Sequence, residues 1–570
     1  MKFQPMAASV LALMIGAYGL PAMSFAADAQ AEANLPATPI DPAKLSAHVK
    51  VLADDSFEGR GPATPAETKT IDYIVSQFKA SGLEPGGDLK ADGVRAWTQD
   101  APLSRFEVTS TPELAFTDKS GAHKLRQGED AVVHTLVPVS SVDISKAPLV
   151  FVGYGVKAPE RGWDDFKGVD LKGKIAVVLI NDPDFETPAG HPTTGRFDGK
   201  AMTYYGRWTY KYEEAARQGA VGMLIVHETA PASYGWATVK NSNAAPQFDV
   251  VRDAPTKSHP LLEGWLQRSE AVALFRRAGL DFDKEKARAQ TAAFKPVRLK
   301  GETFTAHYKV AATTIVSHNV VAVLPGKTHP DEYVFYSAHW DHLGVGLPDA
   351  KGDKIYNGAV DNAGGIASLL ELARVYSSQP RTERTVGFIA FTAEEKGLLG
   401  SEYYASHPLY PLAKTVAVFN RDGLSTGGPA RDISTSGNGK LSLQDDIVAA
   451  AAAQGRHFTP DAVPEAGHFF RSDHFPLAKR GVPAVSVNGG LDLYNGGVAA
   501  GRAIEEDYVV HRYHQPADEW RADWDLRGQA IDDGLIYDIG RKLADSRAWP
   551  TWDKASEFKA VRDATAADRK

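Results

Sequence analysis

Residues 333–342 read YVFYSAHWDH. An apolar run, 333–337, passes without a break into two imidazoles and a carboxylate. Similar short apolar runs stand at 320–324, 386–391, 416–419 and 484–487. Uninterrupted runs of this length predict strands covered on both faces. Helical spacing fills the intervals at 364–376 and 443–453, and returns at 532–544 after the last run. Strands alternating with helices predict an α/β layered sheet. In such a sheet, ligands collect beyond the carboxyl ends of the strands.

Those ends carry the chemistry. The first run leads into His339, Asp341 and His342, and the run ending at Phe391 leads into Glu394 and Glu395. The run ending at Phe419 leads into Arg421 and Asp422. Asp361 precedes a helical stretch, and Tyr513-His514 stands near the C-terminus. Each piece alone has an ordinary reading. A histidine after a strand is commonly structural, an Asp before a helix is commonly its N-cap, and adjacent glutamates commonly face solvent. Their recurrence at successive strand ends is the signal. Acids gathered on one rim repel unless a cation neutralises them.

The chain has 570 residues, and 63 Lys plus Arg against 71 Asp plus Glu leave a formal charge of −8. With no basic block, this argues against a nucleic-acid partner. Cysteine is absent, which excludes disulfides, thiolate metal sites and a cysteine nucleophile. Any metal must be held by His, Asp and Glu, a set suited to zinc, manganese or cobalt. Lys2 followed by the apolar stretch 6–20 and Ser24-Phe25-Ala26 predicts a Sec-type signal peptide cut after Ala26. No later segment has the roughly 20 apolar residues of a spanning helix, so a periplasmic or secreted protein is expected. An Ala/Pro-rich linker occupies 27–41. A block of different style, with strand-like runs at 149–156, 174–180 and 221–226 and a helical stretch at 212–217, interrupts the chain before the main α/β pattern. Residues 553–570 mix charges with alanine and are expected to fray.

Read together, the His339, Asp361, Glu395, Asp422 and His514 pattern closely resembles peptidase family M28, the co-catalytic zinc peptidases that include secreted bacterial aminopeptidases. Successive separations of 22, 34 and 27 residues between His339, Asp361, Glu395 and Asp422 are of the size seen there. The segment Phe57-Glu58-Gly59-Arg60-Gly61 resembles the family's N-terminal signature. Residues 152–156 (VGYGV) with Lys172-Gly173-Lys174 resemble the protease-associated domain inserted in many members. The resemblance implies a three-layer α/β catalytic domain with a mixed central sheet, plus an inserted β-rich α/β domain covering the cleft and limiting access to short peptides. The implied division is a signal at 1–26, a linker at 27–41, catalytic parts at 42–139 and 310–550, the insert at 140–309 and a tail at 551–570.

It further implies two zinc ions. His339 and Asp422 hold one, Glu395 and His514 the other, and Asp361 bridges both. Asp341 orients His339, Glu394 serves as general base, and Tyr513 either hydrogen-bonds the oxyanion or packs. His342 is the alternative to His339 as ligand. Asp473 or His474 shapes the pocket or supports it. Arg421 departs from the pattern, since relatives commonly carry an apolar residue there. The implied function is an exported aminopeptidase acting on peptides. Carboxypeptidase action on acidic dipeptides and glutaminyl cyclisation are the alternatives, although the cyclases use one zinc and this ligand set is complete. A receptor-like relative that lost its metals is disfavoured because the ligands and Glu394 are all present.

Overall fold

The structure, a computed structural model, describes residues 37–569 apart from 245, 437–440 and 555. The predicted signal peptide and most of the linker lie outside these residues. Two sheets share one long strand. In the first sheet, strands β1 (Thr98–Val108), β2 (Val297–Leu324), β3 (His329–His339), β4 (Arg384–Phe391), β5 (Thr415–Asn420) and β6 (Ala484–Gly489) run in the order β1-β2-β4-β3-β5-β6. β4, β3, β5 and β6 are mutually parallel, and β2 is antiparallel to β4. The sheet is therefore mixed, as expected.

Every residue of β4 and β5 is buried, so both faces are covered. Consecutive residues of a strand point to opposite faces, and Phe335 and Tyr336 show the two covering layers. The Tyr336 hydroxyl lies 2.9 Å from that of Tyr376 and donates to Ile536 O at 3.0 Å, in helices Gly364–Ser377 and Arg527–Ala544. Phe335 packs against Tyr404, in helix Leu399–Ser406, with centroids 6.3 Å apart. Tyr336 also stacks between Phe388 and Phe419 of the neighbouring strands.

The parallel register sets the rim. His339 is level with Phe391 and Ser337 with Asn420, so the residues following β3, β4 and β5 leave the sheet on one line.

The second sheet takes the first half of β2. Its order is 121–125, 113–118, β2, 141–151, 175–179, 222–227, 262–267 and 131–134. The helix Trp208–Arg217 crosses over between two of its parallel strands. This corrects the boundary expected at residue 140. Strands within 113–134 pair in the second sheet, with Phe116 opposite Phe304 and Val132 opposite Trp265. Their apolar alternation showed strands but not which sheet would take them. The C-terminal segment also differs from a fraying tail. Trp552, Phe558 and Arg562 are buried, and the Arg562 guanidinium donates to Thr415 O at 3.0 Å. Among the described residues, no helix is long and apolar enough to cross a membrane.

Candidate metal centre

β3 delivers His339 to the rim, and the chain then turns through Trp340, Asp341 and His342, all buried. β4 is followed by a tight reversal with Ala393 and Leu398 at positive φ, which presents Glu394 and Glu395 on one short turn. The Asp341 carboxylate holds this turn, accepting from Glu394 N at 3.0 Å and Glu395 N at 3.4 Å. The expected contact of Asp341 with His339 runs mainly through its main chain. His339 Nδ1 lies 3.1 Å from Asp341 O and 3.7 Å from Oδ1. That leaves His339 Nε2 to face the site.

Asp361 reaches the site because another residue caps the helix. Asn362 Oδ1 accepts from Gly365 N at 2.8 Å and Gly423 N at 3.0 Å. Gly358 sits at φ +57, and a Cβ there would fall 2.2 Å from Asp361 O and 2.5 Å from the His342 ring. The turn therefore requires glycine.

Asp361 lies between two imidazoles. Its Oδ1 is 3.2 Å from His339 Nε2, and its Oδ2 is 3.2 Å from His514 Nε2. Asp422 Oδ1 is also 3.2 Å from His339 Nε2, and Glu395 Oε2 is 3.1 Å from His514 Nε2. All five candidate ligands thus meet, with the two carboxylate oxygens of Asp361 dividing them. His342 joins them as well, its Nδ1 2.7 Å from Glu395 Oε1. Ligand atoms of His339, Glu394 and Asp422 lie within 4.8 Å of one another, as do those of His342, Asp361 and Glu395. Tyr513 is partly exposed and stacks on His514 with centroids 3.9 Å apart.

The electrostatics reflect burial among like charges. Burial would lower the His339 imidazole, but Glu394 and Asp422 overcome this and hold it well above its ordinary value. His514 is likewise pushed up to about 10 against its burial, chiefly by Glu395. Glu394 is driven well above the carboxylate range by burial, and Asp422 and Glu395 add to this. Glu395 moves down to about 2, because His514 and His342 outweigh both its burial and Asp361. Asp473, fully buried beside the cluster, is pushed up to about 7 by burial. His474 is driven down to about 3 by burial, and neither ring nitrogen has a hydrogen-bond partner among the described residues. Arg421 turns away from Asp422. Its Nε lies 3.0 Å from Asp533 Oδ1, and its Nη1 donates to Val487 O.

Two supporting residues had no role assigned from sequence. Asp518 is fully buried and accepts from Val360 N and Asp361 N, both at 3.1 Å. Arg60 is also fully buried and donates to Trp340 O at 2.9 Å, Asn357 O at 2.6 Å and Gly358 O at 2.8 Å. Arg60 belongs to the segment 57–61 and Asp518 stands shortly after His514, but only the folded chain shows whom they serve. Beside Asp422 opens a cavity of about 250 Å³, walled by Leu424, Leu493, Ile504 and Tyr508.

Residues 319–532 match the model of peptidase family M28. A Bacillus subtilis protein named aminopeptidase YwaD is 36% identical over 119 residues, 20% of this chain and 24% of that protein. A Pyrenophora teres f. teres (strain 0-1) protein named "Probable zinc metalloprotease" is 38% identical over 103 residues, 18% of this chain and 22% of that protein. The matches thus span about a quarter of these curated relatives' own length. Among solved structures, an aminopeptidase from Aneurinibacillus sp. strain AM-1 aligns over 90% of this chain and 95% of its own, with 22% identity and a TM-score of 0.47. The matched range 319–532 contains all five candidate ligands, Asp341, Glu394 and Asp518, and it is through this segment that the chain is similar to peptidase family M28.

Proposed function

We propose that the chain is an exported aminopeptidase that works with two zinc ions. The observation that carries this reading is Asp361, one carboxylate with an oxygen toward each of two imidazoles. His339 and Asp422 gather on one side of it, Glu395 and His514 on the other. The donor set fits zinc, being all imidazole and carboxylate with the ligand atoms already grouped. His342 stands beside Glu395, its Nδ1 2.7 Å from Oε1, while Oε2 faces His514. When bound, the zinc ions polarise a carbonyl and make water nucleophilic at neutral pH.

The chain's own residues supply the rest. Glu394 takes a proton and returns it to the leaving amine, and its burial raises its proton affinity for that task. Asp341 fixes Glu394 through its backbone N–H. The surrounding carboxylates attract a free α-ammonium, which favours cleavage at the N-terminus. Tyr513, stacked on His514, donates a hydrogen bond to the substrate oxygen. The cavity beside Asp422, with its apolar walls, receives the first side chain. The second-sheet module acts as a protease-associated domain that restricts entry to short peptides.

The test is zinc content by atomic emission together with a panel of free and N-acetylated peptides, products identified by mass. Two zinc ions per chain and cleavage of free peptides alone are expected. Equal cleavage of blocked and free peptides would end the aminopeptidase reading.

A further inference from the structure

β2 passes from the second sheet to the first between Lys309, opposite Ser141, and Val310, opposite Val108. At that crossing a cleft of about 420 Å³ opens. Phe106, His134 and Thr135 line it and are buried, so they form its floor. Thr109 and Thr111 line it and are exposed, so they form its rim. The cleft shares no residue with the candidate metal centre or with the cavity beside Asp422.

His134 is the group in this floor that the fold leaves incomplete. The strand 131–134 is the edge of the second sheet, and its register sets His134 opposite Glu263. His134 Nε2 lies 3.2 Å from Glu263 Oε2. His134 Nδ1 has no hydrogen-bond partner among the described residues.

The groups behind His134 fix what it can offer. Glu263 Oε1 lies 2.8 Å from His259 Nδ1, and His259 Nε2 lies 3.1 Å from Asp249 Oδ2. Arg252 donates to both oxygens of Asp249, at 2.7 and 2.9 Å. Burial would raise the Glu263 carboxyl, but His259 and His134 outweigh it and hold it below its ordinary value. Two acids, Asp249 and Glu263, are thus matched by two cations, His259 and Arg252, and a neutral His134 completes a balanced set. An ionised carboxylate only accepts, so His134 Nε2 carries the ring hydrogen and Nδ1 keeps a lone pair. A buried acceptor left without a donor is costly.

The rest of the lining narrows the ligand. Thr135 Oγ1 accepts from Val137 N at 3.1 Å, which leaves its hydroxyl hydrogen to donate. The floor therefore carries an acceptor and a donor, the complement of one hydroxyl group. Glu107 is the acid in the wall, and Arg105 Nη1 already donates to it at 2.9 Å. The described lining thus leaves no unpaired charge for an ion. Phe106 and Pro112 add apolar surface that the C–H face of a sugar ring can cover. A volume of this size suits a ligand of one or two rings.

We propose that this cleft binds a neutral mono- or disaccharide, with one sugar hydroxyl donating to His134 Nδ1 and accepting from Thr135. The site goes beyond the aminopeptidase reading and does not depend on it.

The experiment uses the full chain, zinc-loaded, and calorimetry with glucose, mannose, galactose, N-acetylglucosamine, maltose and cellobiose. Acetylglycine methylamide, whose N–H groups also donate, is the comparison ligand. At least one sugar should bind one to one with a Kd below about 10 mM. His134→Phe removes the acceptor and should weaken that binding about 2- to 10-fold, the worth of one neutral hydrogen bond. Thr111→Trp, at the exposed rim, fills the cleft without entering the core and should abolish binding. If His134→Phe does not fold, Thr111→Trp still decides. In the chain labelled with 15N-histidine, the ring signal missing from His134→Phe should carry hydrogen on Nε2 alone, and its Nδ1 resonance should move when sugar is added. Binding by none of these sugars overturns the proposal, as does binding that survives Thr111→Trp or binding of the diamide alone. A hydrogen found on His134 Nδ1 in the sugar-bound chain overturns the assigned hydrogen bond.

Discussion

Asp518→Ala tests whether Asp361 is held in place from behind. The Asp518 carboxylate is fully buried, and its Oδ2 accepts from Val360 N at 3.2 Å and Asp361 N at 3.1 Å. Its Oδ1 accepts from Val360 N as well, at 3.1 Å. Removing it leaves two buried N–H groups without an acceptor. Hydrogen bonds to a charged group contribute about 1.5–3 kcal/mol each, so losing those of the two N–H groups should cost alanine about 3–6 kcal/mol of stability. Asn should cost about half as much, because one oxygen in the place of Oδ2 serves both donors. The backbone so released carries Asp361, and outer partners of metal ligands are typically worth about 10- to 100-fold in affinity. Urea unfolding of the chelator-treated chain gives the stability loss, and competition with a zinc-sensitive dye gives the affinity. The expected order in both is wild type, Asn, Ala. An Ala variant within about 0.5 kcal/mol of wild type that retains its zinc affinity would refute the reasoning.

The remaining predictions concern chemistry and charge. Glu394→Gln should keep its zinc yet lose turnover by about 10²- to 10⁴-fold, the scale of general-base catalysis, read from kcat and metal content together. Asp361→Ala should lose zinc from both sites, because each oxygen of that carboxylate serves a different imidazole; two retained zinc ions would contradict the bridging role. His259 links Asp249 Oδ2 at 3.1 Å to Glu263 Oε1 at 2.8 Å, and those acids push it up to about 10 against its burial. A raised histidine stabilises fully below its unfolded value near 6.5, and that stability is lost as pH rises through about 10. His259→Gln should therefore cost about 3–5 kcal/mol at pH 6 and progressively less toward pH 10.5, measured by urea unfolding at each pH.

The strand ends were legible from sequence because apolar runs end where parallel strands end, and register aligns those ends. His339 is level with Phe391, so the acids three and four residues after Phe391 arrive beside it. The identity of the helix cap was less legible. Asp361 and Asn362 are both capping types, and only the folded turn shows Asn362 bonding Gly365 N while Asp361 faces His339 and His514. Asp518 and Arg60 resemble surface residues in sequence. Their burial depends on loop N–H and C=O groups turned inward from segments 157 and 280 residues away along the chain. Hydrophobic period reports that a strand exists but not its partner. Strands at 113–134 consequently looked continuous with the catalytic part, although they pair in the second sheet.

Charge placement bears on the proposed reaction. Asp361, Glu394, Glu395 and Asp422 crowd one rim, with Asp341, Asp473 and Asp518 buried behind them. Arg421, adjacent in sequence to Asp422, would have offset this negative charge had it turned inward. It instead pairs with Asp533 on helix Arg527–Ala544. The rim thereby stays acidic, which suits cations and a substrate ammonium. Raising ionic strength should then raise KM for a peptide with a free N-terminus, because screening weakens the attraction between its ammonium and the acidic rim; an unchanged KM would count against that attraction.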